Sequence, residues 1–215
     1  MLTMVTFLVT IVNMIRASQK YTKKLPTQKK HGDLANSLVE IAVEYISKNK
    51  STEFALRDLA SKLGVSHTAA YRHFKSKNAL LEHIAMKGFE KMNTYFQECL
   101  ASTKSPLEDL GRAYIQFALK FPGYYRVMFG VNFDHNLNPE LFGACQGAFD
   151  SLLNLFGKNS KTNSVKAIYA WSLVHGLVML TLDGQLEKPL EDANLSYKEM
   201  ENKVLKITHM LLNSN

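Results

Sequence analysis

Between Gly64 and Ser76 stand His67, Thr68, Tyr71, Arg72 and His73, a dense set of imidazole, hydroxyl, phenol and guanidinium groups. Such groups donate and accept hydrogen bonds, but a covalent reaction needs a nucleophile and a base held at a fixed spacing. No GxSxG, P-loop, GxGxxG or HExxH pattern occurs in the chain, so neither acyl or phosphoryl transfer nor zinc hydrolysis has its usual parts. No enzyme activity and no cofactor are expected. The chemistry open to this cluster is recognition: polar side chains reading base edges, with Ser66 and Lys77 beside them to meet phosphates.

Those side chains need a scaffold. A helix over 67–73 is too short to stand alone. Leu34, Leu38, Ile41, Ala42, Tyr45 and Ile46 recur at helical spacing behind Asp33, a candidate cap. Leu56, Leu59, Ala60 and Leu63 mark a second helix over about 55–63, stopped by Gly64. Ser66 caps the third helix, 67–73, and Ser76 caps a long fourth helix from Lys77 to about Leu100. Two helices around a glycine turn, with Val65 and Ala70 inward and His67, Thr68, Tyr71 and Arg72 outward, form a helix-turn-helix. Its second helix is the one that enters the major groove of double-stranded DNA. Helix-turn-helix look-alikes also occur in proteins that bind no DNA.

Charge supports an anionic partner at the front of the chain. The formal net charge is +7, and residues 1–31 carry Arg16, Lys20, Lys23, Lys24, Lys29 and Lys30 with no acid. That basic arm suits nucleic acid or a lipid surface, or is a solvated disordered segment. Ahead of it, residues 1–15 are apolar, with Thr3, Thr6, Thr10 and Asn13 at helical spacing. No positive charge precedes the run, as a secretory signal requires, and it falls short of the ~20 residues of a spanning helix. It reads as an extra packed helix, a weak interfacial anchor, or sequence upstream of a start at Met4 or Met14; the last is favoured. Cys99 and Cys145 stand 46 positions apart with no Cys/His cluster, so no disulfide framework and no metal site are expected, in keeping with a reducing, cytoplasmic setting.

The stretch from Phe54 to Leu81 resembles the DNA-binding domain of TetR-family transcriptional regulators. Gly64-Val-Ser, then Tyr71-Arg-His-Phe-Lys-Ser-Lys77, then Leu80-Leu81 carry the likeness, which covers about 33–85. Two residues depart from the family pattern: Ala55, where Ser or Thr usually caps, and Ala70, where a larger aliphatic is usual. The resemblance implies that His67, Thr68 and Ala69 lie nearest base edges. Tyr71 and Lys77 would meet phosphates, Arg72 and His73 would reach bases or backbone, and Arg57 would approach the groove or a phosphate. Plainer roles stand beside these: His73 packing on Phe74, Tyr71 half in the core, Arg57 pairing with an acid. Lys77 is expected to have little packing role.

The remaining chain is also read as helical, over about 107–120, 122–131, 139–157, 164–182 and 196–213, with Pro106, Pro122, Pro139 and Pro189 as boundaries. The expected fold is therefore all-α with about nine helices. It divides into an extension (1–30), a three-helix DNA-binding head (31–78) and a helical ligand-binding and dimerisation bundle (79–215). Phe121-Pro-Gly-Tyr-Tyr125-Arg-Val-Met-Phe129 and Trp171-Ser-Leu-Val-His175-Gly176 resemble one C-terminal domain type of the same family, named for its Trp…His-Gly signature. That likeness implies a homodimer through helices 164–182 and 196–213, and a small, hydrophobic effector that tilts the long helix 77–100. Helix 164–182 is apolar nearly all round, and Met200, Val204, Ile207 and Leu211 form a stripe on the last helix. Tyr114, Phe117, Met128, Trp171, His175 and Met179 are the candidate effector contacts, although a hydrogen-bonded core role suits His175 better. A dimeric, ligand-responsive repressor on a palindromic operator follows. A membrane-associated interaction protein using residues 1–31 is the alternative, without stable insertion.

Overall fold

The computed structural model describes residues 34–131, 133, 138–157 and 160–213. The arm, the Asp33 cap and the 134–137 loop fall outside them, as does the side chain of Leu211. Ten helices are present among the described residues: α1 (Leu34–Asn49), α2 (Leu56–Lys62), α3 (His67–His73), α4 (Lys77–Leu100), α5 (Pro106–Lys120), α6 (Pro122–Gly130), α7 (Pro139–Phe156), α8 (Lys161–Leu182), α9 (Glu187–Asp192) and α10 (Tyr197–Asn213). The fold is all-α, with one helix more than the nine expected. The extra helix is α9, whose Pro189 is its third residue rather than a break; a proline there gives up a donor that a first turn leaves unpaired.

In the head, Leu38, Ala42, Ile46, Leu56, Leu59, Ala60 and Ala70 are almost entirely buried. Ala60 gives α2 and α3 room to cross. Gly64 makes the turn with φ +69°, a left-handed backbone that glycine adopts without strain. Ser66 Oγ accepts from Ala69 N at 3.2 Å and Ser76 Oγ from Ala79 N at 3.1 Å, so both short connections end in a side-chain cap. Ala55 takes the corresponding position before α2 with extended backbone and no side-chain cap. Ala55→Ser should therefore raise stability by about 1 kcal/mol, read as a higher melting midpoint with unchanged DNA binding.

α4 leaves the head and becomes the central strut of the bundle. Leu80, Leu81 and Ile84 are buried at its head end, and Phe89, Met92 and Phe96 further along. α5, α6 and α7 pack on α4, and α8 and α10 close the far side against α5. α6 also packs on α1, which joins head and bundle a second time. Gly123 lies at that seam. A Cβ there would fall 2.3 Å from the Val43 carbonyl oxygen, so only glycine lets the two helices approach this closely.

The last two long helices leave part of their apolar surface exposed in the single chain. α8 buries Ala167, Ala170, Val174, Leu177 and Val178 but leaves Ile168, Tyr169, Leu173 and Leu180 exposed. It is not buried on every side within one chain. α10 faces inward with Glu201, Leu205 and Thr208, while Met200 and Val204 flank that face and Ile207 is exposed. Glu201 carries a charge into the bundle, where Arg112 Nη1 reaches it at 2.5 Å and Lys198 Nζ at 2.7 Å. Asn202 Oδ1 also accepts from Arg112 at 3.2 Å.

Candidate functional site: a nucleic-acid interface and a ligand cavity

Seven residues of helix present one open face. His67, Thr68, Tyr71, Arg72 and His73 are exposed, Ala69 is half-buried, and Ala70 is fully buried against α2. Behind them Phe74 is buried and packs its ring against His83 at 5.5 Å between centroids. So the core holds α3 by Ala70 and Phe74, and every polar group of the opening cluster is left pointing outward. His67 Nε2 sits 3.5 Å from Ser61 Oγ. Arg57 lies 3.5 Å from Asp58, both largely in solvent, a pair worth little and readily surrendered to a phosphate.

Lys77 departs from its expected isolation. Its ammonium lies 3.4 Å from both the Thr52 carbonyl and the Glu53 carboxylate, and 5.9 Å above the Phe54 ring. The side chain is 30% exposed. It therefore ties the start of α4 to the α1–α2 connection, a packing role that the sequence did not disclose.

The bundle holds a cavity of about 430 Å³, open to solvent on one side, within the usual range for small-molecule sites. α4 supplies Phe89, Met92 and Phe96; α5 Leu110 and Tyr114; α7 Phe142, Cys145, Gln146, Ala148, Phe149 and Leu152; α8 Trp171 and Val174; α10 Leu205 and Thr208. Of the six expected effector contacts, Tyr114 and Trp171 line it. Phe117 is buried among Tyr95 and Phe121, away from the cavity. Met128 is buried on α6, and Met179 is half-buried, outside the lining. Phe89, Phe96, Phe142 and Phe149 do line it, and no local pattern distinguished them from core aromatics.

His175 stands behind the wall rather than in it. Its Nδ1 is 2.8 Å from Tyr114 Oη and 2.7 Å from Tyr125 Oη, and the two hydroxyls are 3.0 Å apart. Trp171 Nε1 donates to Tyr114 Oη at 3.3 Å. Burial pushes both phenols well above their ordinary values, so both stay protonated. One ordering uses each proton once: Trp171 N–H to Tyr114, Tyr114 to Tyr125, Tyr125 to Nδ1, with the imidazole proton on Nε2. Burial also holds the His175 pKa below the ordinary imidazole value, which suits a neutral acceptor.

This has a pH consequence. The unfolded chain takes up a proton on His175 more readily than the folded one, so stability falls as pH drops below about 6.5. His83 shifts the same way, also through burial first. The comparison with His175→Gln isolates the effect: the variant should lose less stability between pH 7 and pH 5 in urea titrations. Equal losses would remove His175 from the account.

Comparison with known proteins meets this geometry at both ends. Residues 40–84 match the family described as bacterial regulatory proteins, tetR family. Residues 107–202 match the tetracyclin repressor-like C-terminal domain. YobS of Bacillus subtilis, an uncharacterized HTH-type transcriptional regulator, is 27% identical over 90 residues, 41% of this chain and 47% of that protein. The chain thus spans about half the length of this relative. Rv0681 of Mycobacterium tuberculosis, of the same description, is 23% identical over 162 residues, 73% of this chain and 74% of that protein. A bacterial regulatory protein in the tetR family from Rhodococcus RHA1 shares the fold, with a TM-score of 0.66 over 87% of this chain and all of that one, at 13% identity. With a helix-turn-helix head of one matched type carried on a bundle of the other, the chain belongs to the TetR family of bacterial transcriptional regulators.

Proposed function

We propose that this regulator is a ligand-responsive repressor that binds a palindromic operator as a homodimer and has no catalytic activity of its own. One observation carries the reading: α4 is shared. Its first turns sit in the core of the DNA-binding head, and Phe89, Met92 and Phe96 further along the same helix line the cavity. An occupant of the cavity therefore touches the helix that carries α3. It shifts the equilibrium between DNA-binding and non-binding shapes by its preference for one of them.

His67, Thr68 and Ala69 would read bases. Ser66, Tyr71, Arg72, His73, Arg57 and Lys77 would hold the backbone. Support for the dimer comes from the exposed Ile168, Tyr169, Leu173 and Leu180 on α8 and Ile207 and Met210 on α10, an apolar surface a lone chain leaves in water. Among the described residues, a Cβ at Gly176 would meet nothing within 4 Å, which leaves room beside α8 for a neighbouring backbone. A cytoplasmic location follows from operator binding.

The test is fluorescence anisotropy of the protein on duplex DNA from upstream of its own gene, against a random duplex, across salt. The reading expects tight, palindrome-dependent binding well above the control. Equal, steeply salt-dependent binding to both would instead assign the affinity to sequence-independent phosphate contacts.

A further inference from the structure

The cavity walls narrow the class of effector, an inference that rests on the ligand-responsive reading above. Among the described residues, none that lines the cavity is Asp, Glu, Lys, Arg or His. The charged pair between α5 and α10, Arg112 and Glu201, is closed on itself at 2.5 Å and neither member lines the cavity.

The wall's polar groups are mostly spent as well. Tyr114 Oη already meets Trp171 Nε1, Tyr125 Oη and His175 Nδ1. Trp171 Nε1 is committed to that hydroxyl. Thr208 Oγ1 donates back to the Val204 carbonyl at 2.7 Å. The Cys145 thiol is pushed up by burial and stays protonated. That leaves the amide of Gln146, which is exposed and so lies at the mouth.

We infer that the effector is an uncharged, largely apolar molecule, taken up whole, whose single polar group is met at Gln146. An ion entering this space would shed water with no counter-charge among the described lining residues and only the Gln146 amide to replace it, which makes the charged form much the weaker ligand. A neutral hydroxyl loses far less, and its alkyl or ring body gains the apolar contact.

The chain has one tryptophan, Trp171, and it lines the cavity. Its fluorescence reads occupancy without DNA. The full-length protein would be titrated at neutral pH with decan-1-ol, decanoate and decylammonium, matched probes that differ in charge. Decan-1-ol should perturb Trp171 saturably, and both ions should bind at least tenfold more weakly. Either ion binding within threefold of the alcohol, or no response to the alcohol, overturns the assignment. Gln146→Arg, at an exposed position, should tighten decanoate at least tenfold with the alcohol little changed; Gln146→Lys repeats the test should the first variant misfold. Decanoate unimproved in a folded variant would overturn the placement of the polar group. In a parallel arm, decan-1-ol is added to the protein–DNA complex. An alcohol that fills the cavity and leaves DNA bound would sink the ligand-responsive reading while leaving the chemical class of the occupant intact.

Discussion

Replacing His67 and Thr68 together by alanine is expected to lower the preference for operator over random duplex about a hundredfold. Each good side-chain contact to a base edge discriminates by about 1–3 kcal/mol, and about 1.4 kcal/mol is tenfold, so two contacts of about 1.4 kcal/mol each give that factor. Both side chains are exposed and neither enters the head's core, so the melting midpoint should stay where it is. Binding to random DNA should also hold, because phosphate contacts survive. An unchanged preference in the folded double variant would show that α3 does not read sequence through its first turn. Lys77→Ala is the contrast. Because its ammonium also ties Thr52, Glu53 and Phe54, a drop in DNA affinity there mixes a lost phosphate contact with a loosened head. Only a shallower salt slope separates the two.

Gly123→Val should cost about 3 kcal/mol of folding stability, at the upper end of what overpacking does. The atom a new Cβ meets first is the Val43 carbonyl oxygen at 2.3 Å, with its carbon at 3.1 Å. Backbone cannot rotate aside as a side chain does, so α1 and α6 must separate along their length. Gly123→Ala should fall between the variant and the wild type. Urea unfolding measures both. A valine variant within about 0.5 kcal/mol of wild type, the range of an ordinary surface change, would mean the seam yields freely.

The parts of this molecule legible in its sequence are those set by short-range chemistry. α3 and α4 begin where Ser66 and Ser76 place caps, and the Gly64 turn sits where a left-handed residue is needed. α9 was hidden because Pro189 reads as a boundary, and only the fold shows it inside a first turn. The cavity was hidden for a different reason. Tyr114 and Phe117 are three residues apart on α5, and periodicity puts them on neighbouring positions of one face. Yet one borders the cavity and the other is sealed against Tyr95 and Phe121. A few tens of degrees of helix rotation decide between wall and core, and that rotation is fixed by partners far along the chain. The same holds for Gly123, whose necessity comes from Val43, and for Glu201, an acid on a helix end made tolerable by Arg112.

The length of α4 has a mechanical consequence. Its 24 residues span about 36 Å at 1.5 Å per residue. A lever of that length, turned by 5° about its cavity end, carries its far end through about 3 Å, roughly the whole length of a hydrogen bond. On the proposed reading, side chains at the cavity would need to give way by only about 1 Å for the head end of α4 to travel about 3 Å. In the proposed two-fold pair, the same stroke would recur in the second copy, rotated by half a turn about the axis.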